Sequence, residues 1–496
     1  MKENRPWVIW LTIIAILLAG IGIFFYYNFF RQSKSELIEA IPTDAAFIFT
    51  LNDNDGFVSS TREVTPYLNE LFAMDALPAY ETMRGKLPAG EYDLTVSGHV
   101  QDNAVSLLFN THADKAAFRR LLRALSIDPN NYTAFENNRI YTYGTNFKSI
   151  KFVYTNHIIS FSADLELLKR AIVQHSHPKN LLSDKQFKEM YNLTEKNNKQ
   201  NWLIINPKSY TKYLSSFLKE DMVKTITNGL ASTGWTALQL RFSGNEMYLS
   251  GYAIMDKPDH YTSGRFNVSK SDGMEDFLSV FPNLVSWYTR ACNGKSYWAN
   301  VIDRTPGLNE GQKATLNKLA PTHAGCFSLC ADTNKYQYFV LLPDSTNDFL
   351  GLLYSNTNCG DSVRNAYPNG IYPLPYILAP MMQVLMPDSM SWVVANDRAL
   401  VFAPSSEAAT AYLKSFKSNE DLSKNRYYGF VNEAVASSSI FNYVILHEDA
   451  DPYWPSQLSE KGKSSHFGKE MRIFSLSCDA MEKGRNLLPV NLYLLF

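Results

Sequence analysis

The sequence predicts an α+β protein in which an N-terminal transmembrane helix is followed by two diverged copies of an antiparallel-sheet domain with helices on one face. Three observations support this class. One uncharged apolar run stands near the start of the chain, at residues 7–30. Short runs of alternating apolar and polar residues then alternate with amphipathic segments of helical period. Several sequence landmarks also recur in the same order at a nearly constant offset.

The first element is the run WVIWLTIIAILLAGIGIFFYYNFF, which extends from Trp7 to Phe30 without a charged residue. As a helix it would be about 36 Å long, which is enough to cross a bilayer. Aromatic residues stand at both ends, as side chains at membrane interfaces do. A cleaved signal peptide is the alternative, but the apolar run continues well past Gly20 and Gly22. We therefore expect an uncleaved anchor in the inner membrane, with the body of the protein in the periplasm.

The next elements belong to a predicted duplication. Pro42 in LIEAIPTDAAFIF corresponds to Pro282 in FLSVFPNLVSWYT, and the hairpin FVYTNHIISFS from Phe152 corresponds to WVVANDRALVFA from Trp392; both offsets are 240. The other landmark pairs keep offsets near this value, so chance similarity is a poor explanation. The predicted organisation is a cytoplasmic stub and anchor at 1–35, a first α+β repeat at 36–256, a linker at 257–273 and a second α+β repeat at 274–496.

Within each repeat, helices and hairpins are predicted from local signals. Asp114 precedes the amphipathic segment DKAAFRRLLRAL as its N-cap, and Asp164 and Ser405 stand near the starts of two later helical segments. The dipeptides Asn156-His157 and Asn396-Asp397 predict hairpin turns. A strand is also predicted in WLIINPKSYTKYL, and its counterpart in the second repeat is YGFVNEAVASSSI, at 428–440.

Composition excludes some functions. The chain has 47 basic and 48 acidic side chains, so no net field favours nucleic acid as a partner. Aromatic residues make up 14% of the chain, which suits β-structure and would also suit a sugar-stacking surface. The five cysteines cannot form a complete disulfide framework because their number is odd. Cys326 and Cys330 are predicted in one strand, where they are too far apart to bond to each other, and we expect buried thiols.

Candidate chemical sites are few. The segment HEDAD places His447, Glu448, Asp449 and Asp451 close together and is the best metal candidate, although Asp-Pro at 451–452 also marks an ordinary acidic loop. We interpret the calcium-loop-like LNDNDG at 51–56 as a polar turn, because its terminal positions lack acidic ligands. No catalytic residue and no cofactor is predicted.

One pair of histidines and two serine–lysine spacings are interpreted as structural and not as catalytic or metal-binding. His175 and His177 lack a third ligand at a suitable spacing and are expected at a solvated helix end. The serine–lysine spacings 209–212 and 216–219 match those of penicillin-binding enzymes, but the other elements of those enzymes are absent from the sequence. We expect both pairs on helix surfaces.

The apolar run, the short spacer and the segments LIEAIPTDAAFIFTLND and FLSVFPNLVSWYT together resemble an uncharacterised family of single-span bacterial envelope proteins, known only as a domain of unknown function. The resemblance covers most of the chain and implies a Gram-negative cell envelope. It transfers no catalytic residue.

These features predict a membrane-anchored, non-catalytic, extracytoplasmic binding or scaffold protein that contacts the membrane through residues 7–30 and has an envelope protein as its partner. The alternative is a glycan-binding or glycan-hydrolysing envelope protein. Tyr, Trp and acidic side chains on one exposed face would favour a glycan, whereas an apolar patch without acids would favour a protein partner.

Overall fold

The computed structural model describes most of the chain from Leu37 onward. The described residues are 37–52, 57, 59–74, 77–87, 93–144, 149–195, 200–229, 233–255, 280–283, 285–292, 294–318, 320–331, 334–343, 346, 351, 370–385, 390–395, 398–416, 421–430, 441–447, 453–479, 481 and 486–496. The chain divides into two compact units. The first contains the described residues up to Ser59 and Phe72–Tyr210, and the second contains Ser60–Leu71 and Thr211–Phe496.

The first unit contains a ladder of eight described strands, called here the first ladder. Its strands pair antiparallel in the order β4–β5–β6–β7–β3–β2–β1–β8. Their bounds are β1 Phe47–Leu51, β2 Leu94–Gln101, β3 Ala104–His112, β4 Thr133–Phe135, β5 Asn138–Gly144, β6 Ser149–Thr155, β7 Ile158–Ser162 and β8 Trp202–Ile205.

The second unit contains the second ladder, whose described strands pair antiparallel in the order β9–β10–β19–β18–β17–β11–β12–β13–β16–β15–β14. Their bounds are β9 Thr233–Ser243, β10 Glu246–Met255, β11 Val285–Cys292, β12 His323–Ala331, β13 Asn334–Leu342, β14 Ile371–Pro373, β15 Trp392–Ala395, β16 Leu400–Ala403, β17 Phe441–Leu446, β18 Ile473–Cys478 and β19 Leu487–Leu495.

The described helices lie between these strands. Their bounds are α1 Thr65–Phe72, α2 Leu77–Arg84, α3 Lys115–Ala124, α4 Leu165–Ser176, α5 Lys185–Glu195, α6 Pro207–Leu214, α7 Glu220–Gly229, α8 Gly294–Arg304, α9 Glu310–Lys318, α10 Ala379–Leu385, α11 Ser406–Phe416, α12 Tyr453–Gln457, α13 Glu460–Ser464 and α14 His466–Glu470.

Local sequence signals at the starts of these helices act as expected. The Asp114 carboxylate accepts a hydrogen bond from the backbone N–H of Ala117 at 2.5 Å, and Asp164 caps α4 in the same way. Ser405 accepts from the backbone N–H of Ala408 at 3.2 Å. The β6–β7 turn has positive φ at both Asn156 and His157, as a two-residue hairpin requires. These local predictions are confirmed, and the turn predicted at 396–397 lies outside the described residues.

The predicted fold class is wrong in its division of the sheet. The described residues form a large antiparallel sheet of 19 strands with helices, whereas each repeat was expected to form its own sheet. β10, from the first predicted repeat, pairs with β19 over the full register from Glu246↔Leu495 to Ile254↔Leu487. β10 largely alternates apolar and polar residues and β19 is mostly apolar, and left apart each would expose an unpaired edge. Pairing them removes two edges, so strands from both predicted repeats join in one ladder.

The expectation of helices on one face is also wrong. In the first ladder α4 packs on the face that carries Leu108 and Val153. On the opposite face Tyr80 of α2 stacks on Phe109, with ring centroids 5.0 Å apart, and Phe118 of α3 contacts Phe152. The second ladder is covered in the same way, by α11 on one face and by α8, α9 and α10 on the other. All five side chains of β7 are buried, so a strand of this kind needs cover on both sides.

One more correction concerns a predicted strand. Residues 428–430 are helical rather than extended, and β17 occupies the place beside β11 that β8 occupies beside β1. Among the described residues no helix is long and apolar enough to cross a membrane. The anchor predicted at 7–30 and the linker predicted at 257–273 lie outside the described residues.

The described cysteines behave as small apolar groups. Cys326 lies in β12 and is half-buried, and Cys478 at the end of β18 is buried. Burial raises the pKa of the Cys478 thiol to about 12. A thiol held in its neutral form is a poor nucleophile and metal ligand, which fits the predicted packing role.

Candidate functional site

The most organised polar site in the first unit begins on β2. Ser97 and His99 are two residues apart on this strand, so their side chains lie on one face of the sheet. Gly98 lies between them and faces the other side, where the ring of Phe47 covers it. A Cβ atom on Gly98 would stand 2.1 Å from that ring, so any larger residue here would force the buried Phe47 ring to shift. The segment Ser97-Gly98-His99 therefore places two polar side chains on one face of the sheet and a glycine against an aromatic ring on the other face.

A chain of hydrogen bonds runs from Ser97 to the protein surface. Ser97 Oγ lies 3.1 Å from His99 Nε2, and His99 Nδ1 lies 3.0 Å from Asp44 Oδ1. Arg170 of α4 donates from Nη1 to Asp44 Oδ2 at 2.6 Å. Ser97 and His99 are buried, whereas the side chains of Asp44 and Arg170 are about half exposed, at 52% and 47%. We call these four residues the relay.

The protonation state of the relay follows from its surroundings. Burial lowers the pKa of His99, although the hydrogen bond to Asp44 acts in the opposite direction. The hydrogen bond from His99 and the nearby Arg170 guanidinium hold the pKa of Asp44 well below its usual range, against the effect of its partial burial. The imidazole is thus neutral at pH 7, with Nδ1–H donating to Asp44 and Nε2 accepting from the Ser97 hydroxyl.

Serine, histidine and carboxylate stand here in the order found in acyl-transfer triads. Such a serine must reach its substrate, but Ser97 is fully enclosed, with a relative exposure of 0%. Two small cavities lie among the described residues of the first unit, and Ser97 lines neither of them. In this conformation the relay ties the turn before β1 to β2 and α4, which makes it a stabilising polar network.

The two histidines of the α4 end are not brought together at a shared ligand position. His175 is half-buried and lines a small cavity with Ala40 and Ile158, and its Nδ1 has no hydrogen-bond partner among the described residues. His177 is exposed, and its Nδ1 accepts from the backbone N–H of Lys179 at 3.2 Å. The predicted solvated helix end fits His177, whereas His175 turns toward the interior.

The serine–lysine spacings do not form catalytic pairs in the described contacts. The Asn206 side chain caps the start of α6, where the backbone N–H of Ser209 donates to Asn206 Oδ1 at 3.4 Å. The Ser216 hydroxyl accepts from Lys461 at 3.3 Å instead of from Lys219, which is exposed. Ser209 therefore lies in the capped first turn of α6, and the lysine that Ser216 contacts is not the one three residues later.

The predicted metal candidate is described only in part. His447 is buried at the end of β17, and its backbone N–H donates to the carbonyl of Arg472 at 2.8 Å. Glu448, Asp449 and Asp451 lie outside the described residues. Within the described ranges no group of three or more His, Cys, Asp or Glu side chains is placed to hold a metal ion. Of the LNDNDG segment, Leu51 ends β1 and Asn52 donates to the carbonyl of Gln200 at 2.8 Å, while 53–56 lie outside the described residues.

One cavity of the first unit carries two carboxylates, Asp93 and Glu195, beside Tyr191. Its volume is about 30 Å³, which suits a single water molecule and is far below the several hundred Å³ of a ligand pocket. Burial raises the pKa of Tyr191, so its hydroxyl stays protonated. The cavity is a candidate for a structural water.

Sequence reasoning missed the relay. The alternation of β2 does place Ser97 and His99 on one face, and this signal was available. The contact with Asp44, 55 positions away, depends on the pairing of β1 with β2 and has no local signature.

Solved structures of a protein named TP0453 show weak structural similarity to part of this chain. Crystal form IV shares 11% identity over 44% of this chain and 79% of that chain, with a TM-score of 0.25. Crystal form I shares 10% identity over 49% of this chain and 82% of that chain, also with a TM-score of 0.25. Such low TM-scores carry no argument about function. No protein-family model matches the chain, and no curated protein matches it.

Proposed function

We propose that this chain is a membrane-anchored binding or scaffold protein of the bacterial cell envelope, with its body in the periplasm and an envelope protein as its partner. The location rests on the uncharged run of residues 7–30, with aromatic residues at both ends. The binding role rests on one structural observation, the exposure of Tyr376 in the second unit.

Tyr376 projects from the segment between β14 and α10 with 87% of its surface exposed. The backbone around it is held in place. Leu374 N–H donates to the carbonyl of Ser391 at 2.8 Å, and Leu378 N–H donates to the carbonyl of Pro375 at 2.9 Å. A ring on a fixed turn loses little conformational freedom when it enters a partner's pocket. Tyrosine is among the side chains that dominate binding energy at protein interfaces.

The chemistry around Tyr376 favours a protein over a glycan. The sequence IYPLPYILAPMMQVL at 371–385 contains no charged residue. Carbohydrate sites combine aromatic rings with carboxylates or other polar groups, whereas an aromatic residue in an apolar, acid-free segment suits a protein interface. Tyr376 is therefore the expected anchor of the interface.

A photo-crosslinking amino acid at position 376, in the full chain in intact cells, tests the binding role. We expect one discrete protein adduct in the envelope fraction. The matched control carries the same group at Phe430, which is also in the second unit and 43% exposed, and should give no such adduct. Crosslinking to polysaccharide alone, or equal diffuse adducts from both positions, would overturn the protein-binding role.

A further inference from the structure

We propose that the exposed face of α3, formed by Lys115, Arg119, Arg120 and Arg123 and called here the basic face, docks onto the anionic lipid headgroups of the membrane that holds the chain. The inference rests on the proposed membrane anchor. It goes beyond that proposal by naming a second membrane contact and the lipid chemistry that forms it.

The two sides of α3 have separate roles. Ala117, Phe118, Leu121 and Leu122 are buried against the first ladder. Lys115, Arg119 and Arg123 follow one another at a spacing of four, so they form one stripe, which Arg120 borders. All four basic side chains are exposed. The apolar side of the helix is thus fully used by the fold, and its outer side presents only positive charge.

The charges of the basic face are not neutralised within the described structure. The sequence of α3 contains no acidic residue, and none of its four basic side chains forms an ion pair with a described residue. The next helix in the chain, α4, differs, since Lys169 pairs with Glu166 at 2.7 Å and Arg170 pairs with Asp44 at 2.6 Å. Like charges four residues apart weaken an isolated helix. An unpaired basic stripe is therefore unfavourable for α3 alone and calls for an anionic partner.

The acidic residues at the two ends of α3 are already engaged. The Asp114 carboxylate accepts from Ala117 N–H at 2.5 Å, and the Asp128 carboxylate accepts from Asn130 N–H at 2.9 Å. Beyond the helix, the Arg139 guanidinium lies 4.6 Å from the ring centre of Tyr132, which is 38% exposed. An exposed tyrosine beside arginine is typical of side chains that settle at a lipid headgroup layer.

Chain length keeps this unit close to the membrane. Six residues, 31–36, separate the predicted span at 7–30 from Leu37, which is buried in the first unit. Even fully extended, that connection reaches at most about 25 Å. Arg31 and Lys34 lie in it and add positive charge on the same path.

The point of chain entry is near the basic face. Leu37 packs against Ile158, and its carbonyl accepts from the Asn110 side chain at 3.3 Å. Ile158 pairs with His112, the last residue of β3. Lys115 follows three residues later, at most about 11 Å further along the chain. Leu37 packs on the α4 face of the first ladder and α3 covers the other face, but these short steps keep the start of α3 within roughly 20–25 Å of the point where the tether enters.

The test uses the full chain reconstituted into vesicles of phosphatidylcholine, with or without roughly 30% phosphatidylglycerol. An amine-modifying reagent is applied, and the modification of Lys115 and Lys185 is compared by mass spectrometry. Lys185 starts α5 in the same unit and is also exposed, so it is an internal control. We expect the anionic vesicles to reduce Lys115 modification about threefold or more, to leave Lys185 unchanged, and to lose the effect at high salt.

Charge variants separate a specific face from general attraction. In R119E/R120E/R123E the protection of Lys115 should disappear, whereas in K179E/K185E/K188E, which makes the same charge change on exposed lysines of the first unit, it should persist. The neutral variant R119Q/R120Q/R123Q repeats the test if the glutamate variant fails to fold. Equal modification of Lys115 in both kinds of vesicle overturns the docking.

Three further outcomes identify which idea fails. Extraction of the wild-type chain from the vesicles by alkaline buffer contradicts the membrane anchor and therefore the proposed function. A chain that resists extraction but shows no protection of Lys115 leaves the anchor standing and contradicts the docking. Protection of Lys115 by a soluble anionic polysaccharide, without protection by phosphatidylglycerol, would overturn the assignment to lipid.

Discussion

The two ladders share a strand order, but the side chains beneath the covering helix are polar in one ladder and apolar in the other. In the first ladder β2 pairs with β1 and β3, and Ser97 and His99 face the helix α4. In the second ladder β12 pairs with β11 and β13, and the residues on the corresponding face are Phe327 and Leu329, beneath α11. One ladder therefore places a polar relay where the other places an apolar core.

The strand registers define this correspondence. Phe47 pairs with Gly98 on one side and with Ile205 on the other. Trp287 occupies the same place in the second ladder, where it pairs with Ser328 and Ile445. Gly98 and Ser328 therefore correspond. Ser97 and His99 flank Gly98 in the first ladder, and Phe327 and Leu329 flank Ser328 in the second.

Tyrosines complete the layer of the second ladder. The Tyr338 hydroxyl donates to the carbonyl of Ala408 at 2.9 Å, and the Tyr412 hydroxyl donates to the carbonyl of Val280 at 3.1 Å. Burial raises the pKa of both hydroxyls, which keeps them as donors. The same backbone pairing thus accepts either an apolar layer, which stabilises by burial, or a polar layer, which adds directional contacts at a desolvation cost.

The largest effect is expected for Phe327→Ala in the second ladder. Phe327 is fully buried and stacks on Tyr338 with ring centroids 4.7 Å apart. Its truncation should lower the free energy of unfolding of the second unit by about 3–5 kcal/mol. Native-state hydrogen exchange of β12 and β13 measures the loss, with the exposed Tyr132→Ala as a control. A loss below about 1 kcal/mol would contradict the role given to this layer.

Gly98→Ala tests the close contact on the other face of β2. The new methyl group would meet the Phe47 ring at 2.1 Å, and we expect a loss of about 1–3 kcal/mol from the stability of the first unit. The matched change is Ser328→Ala, which removes a buried hydroxyl that has no partner among the described residues. That variant should be neutral or slightly more stable. Hydrogen exchange measures the loss of stability in both variants. Equal losses would contradict the expectation that an alanine side chain is unfavourable at position 98 and is tolerated at position 328.

The relay should make the first ladder sensitive to acid. The pKa of His99 is lowered in the folded state, so the unfolded chain takes up the proton first as the pH falls. Stability is complete above the ordinary histidine pKa of about 6.5 and should fall below it, by up to about 1.4 kcal/mol per pH unit. His99→Gln should remove this part of the pH dependence. Hydrogen exchange of β2 and β3 between pH 7.5 and 5 measures it, and an unchanged slope in the variant would refute the assignment.

The smallest effect is expected for Arg170→Gln. Both side chains of the Arg170–Asp44 pair are about half exposed, and water and salt screen such pairs. We expect a loss of less than about 1 kcal/mol that shrinks further at high salt. A loss as large as that of Phe327→Ala would mean that the relay depends on this ion pair more than on the buried histidine.

Sequence patterns were sufficient for elements whose cause is local. Asp114 and Asp164 cap helices because their carboxylates reach N–H groups two or three residues away. Asn156-His157 forms its turn because both residues tolerate positive φ. Such features need no knowledge of the rest of the fold.

Features that depend on distant pairing escaped prediction. The apolar alternation of β10 marks a strand but not its partner, β19. Nor does it show that helices cover both faces, because a run such as IISFS in β7 fits a strand buried on one side or two. The contact of Asp44 with His99 has the same limit, since it exists only once β1 and β2 are in register.

The pairing of β10 with β19 also has a consequence for synthesis. More than 230 residues separate Met255 from Leu487, and ribosomes add about 5–20 residues per second. For roughly 10–50 seconds the nascent chain therefore holds β10 without its partner, with one row of backbone N–H and C=O groups unpaired. Chaperones that bind extended segments would recognise β10 during this interval. Quality control of this protein would then depend on whether synthesis has reached β19, and not on which domain is made first.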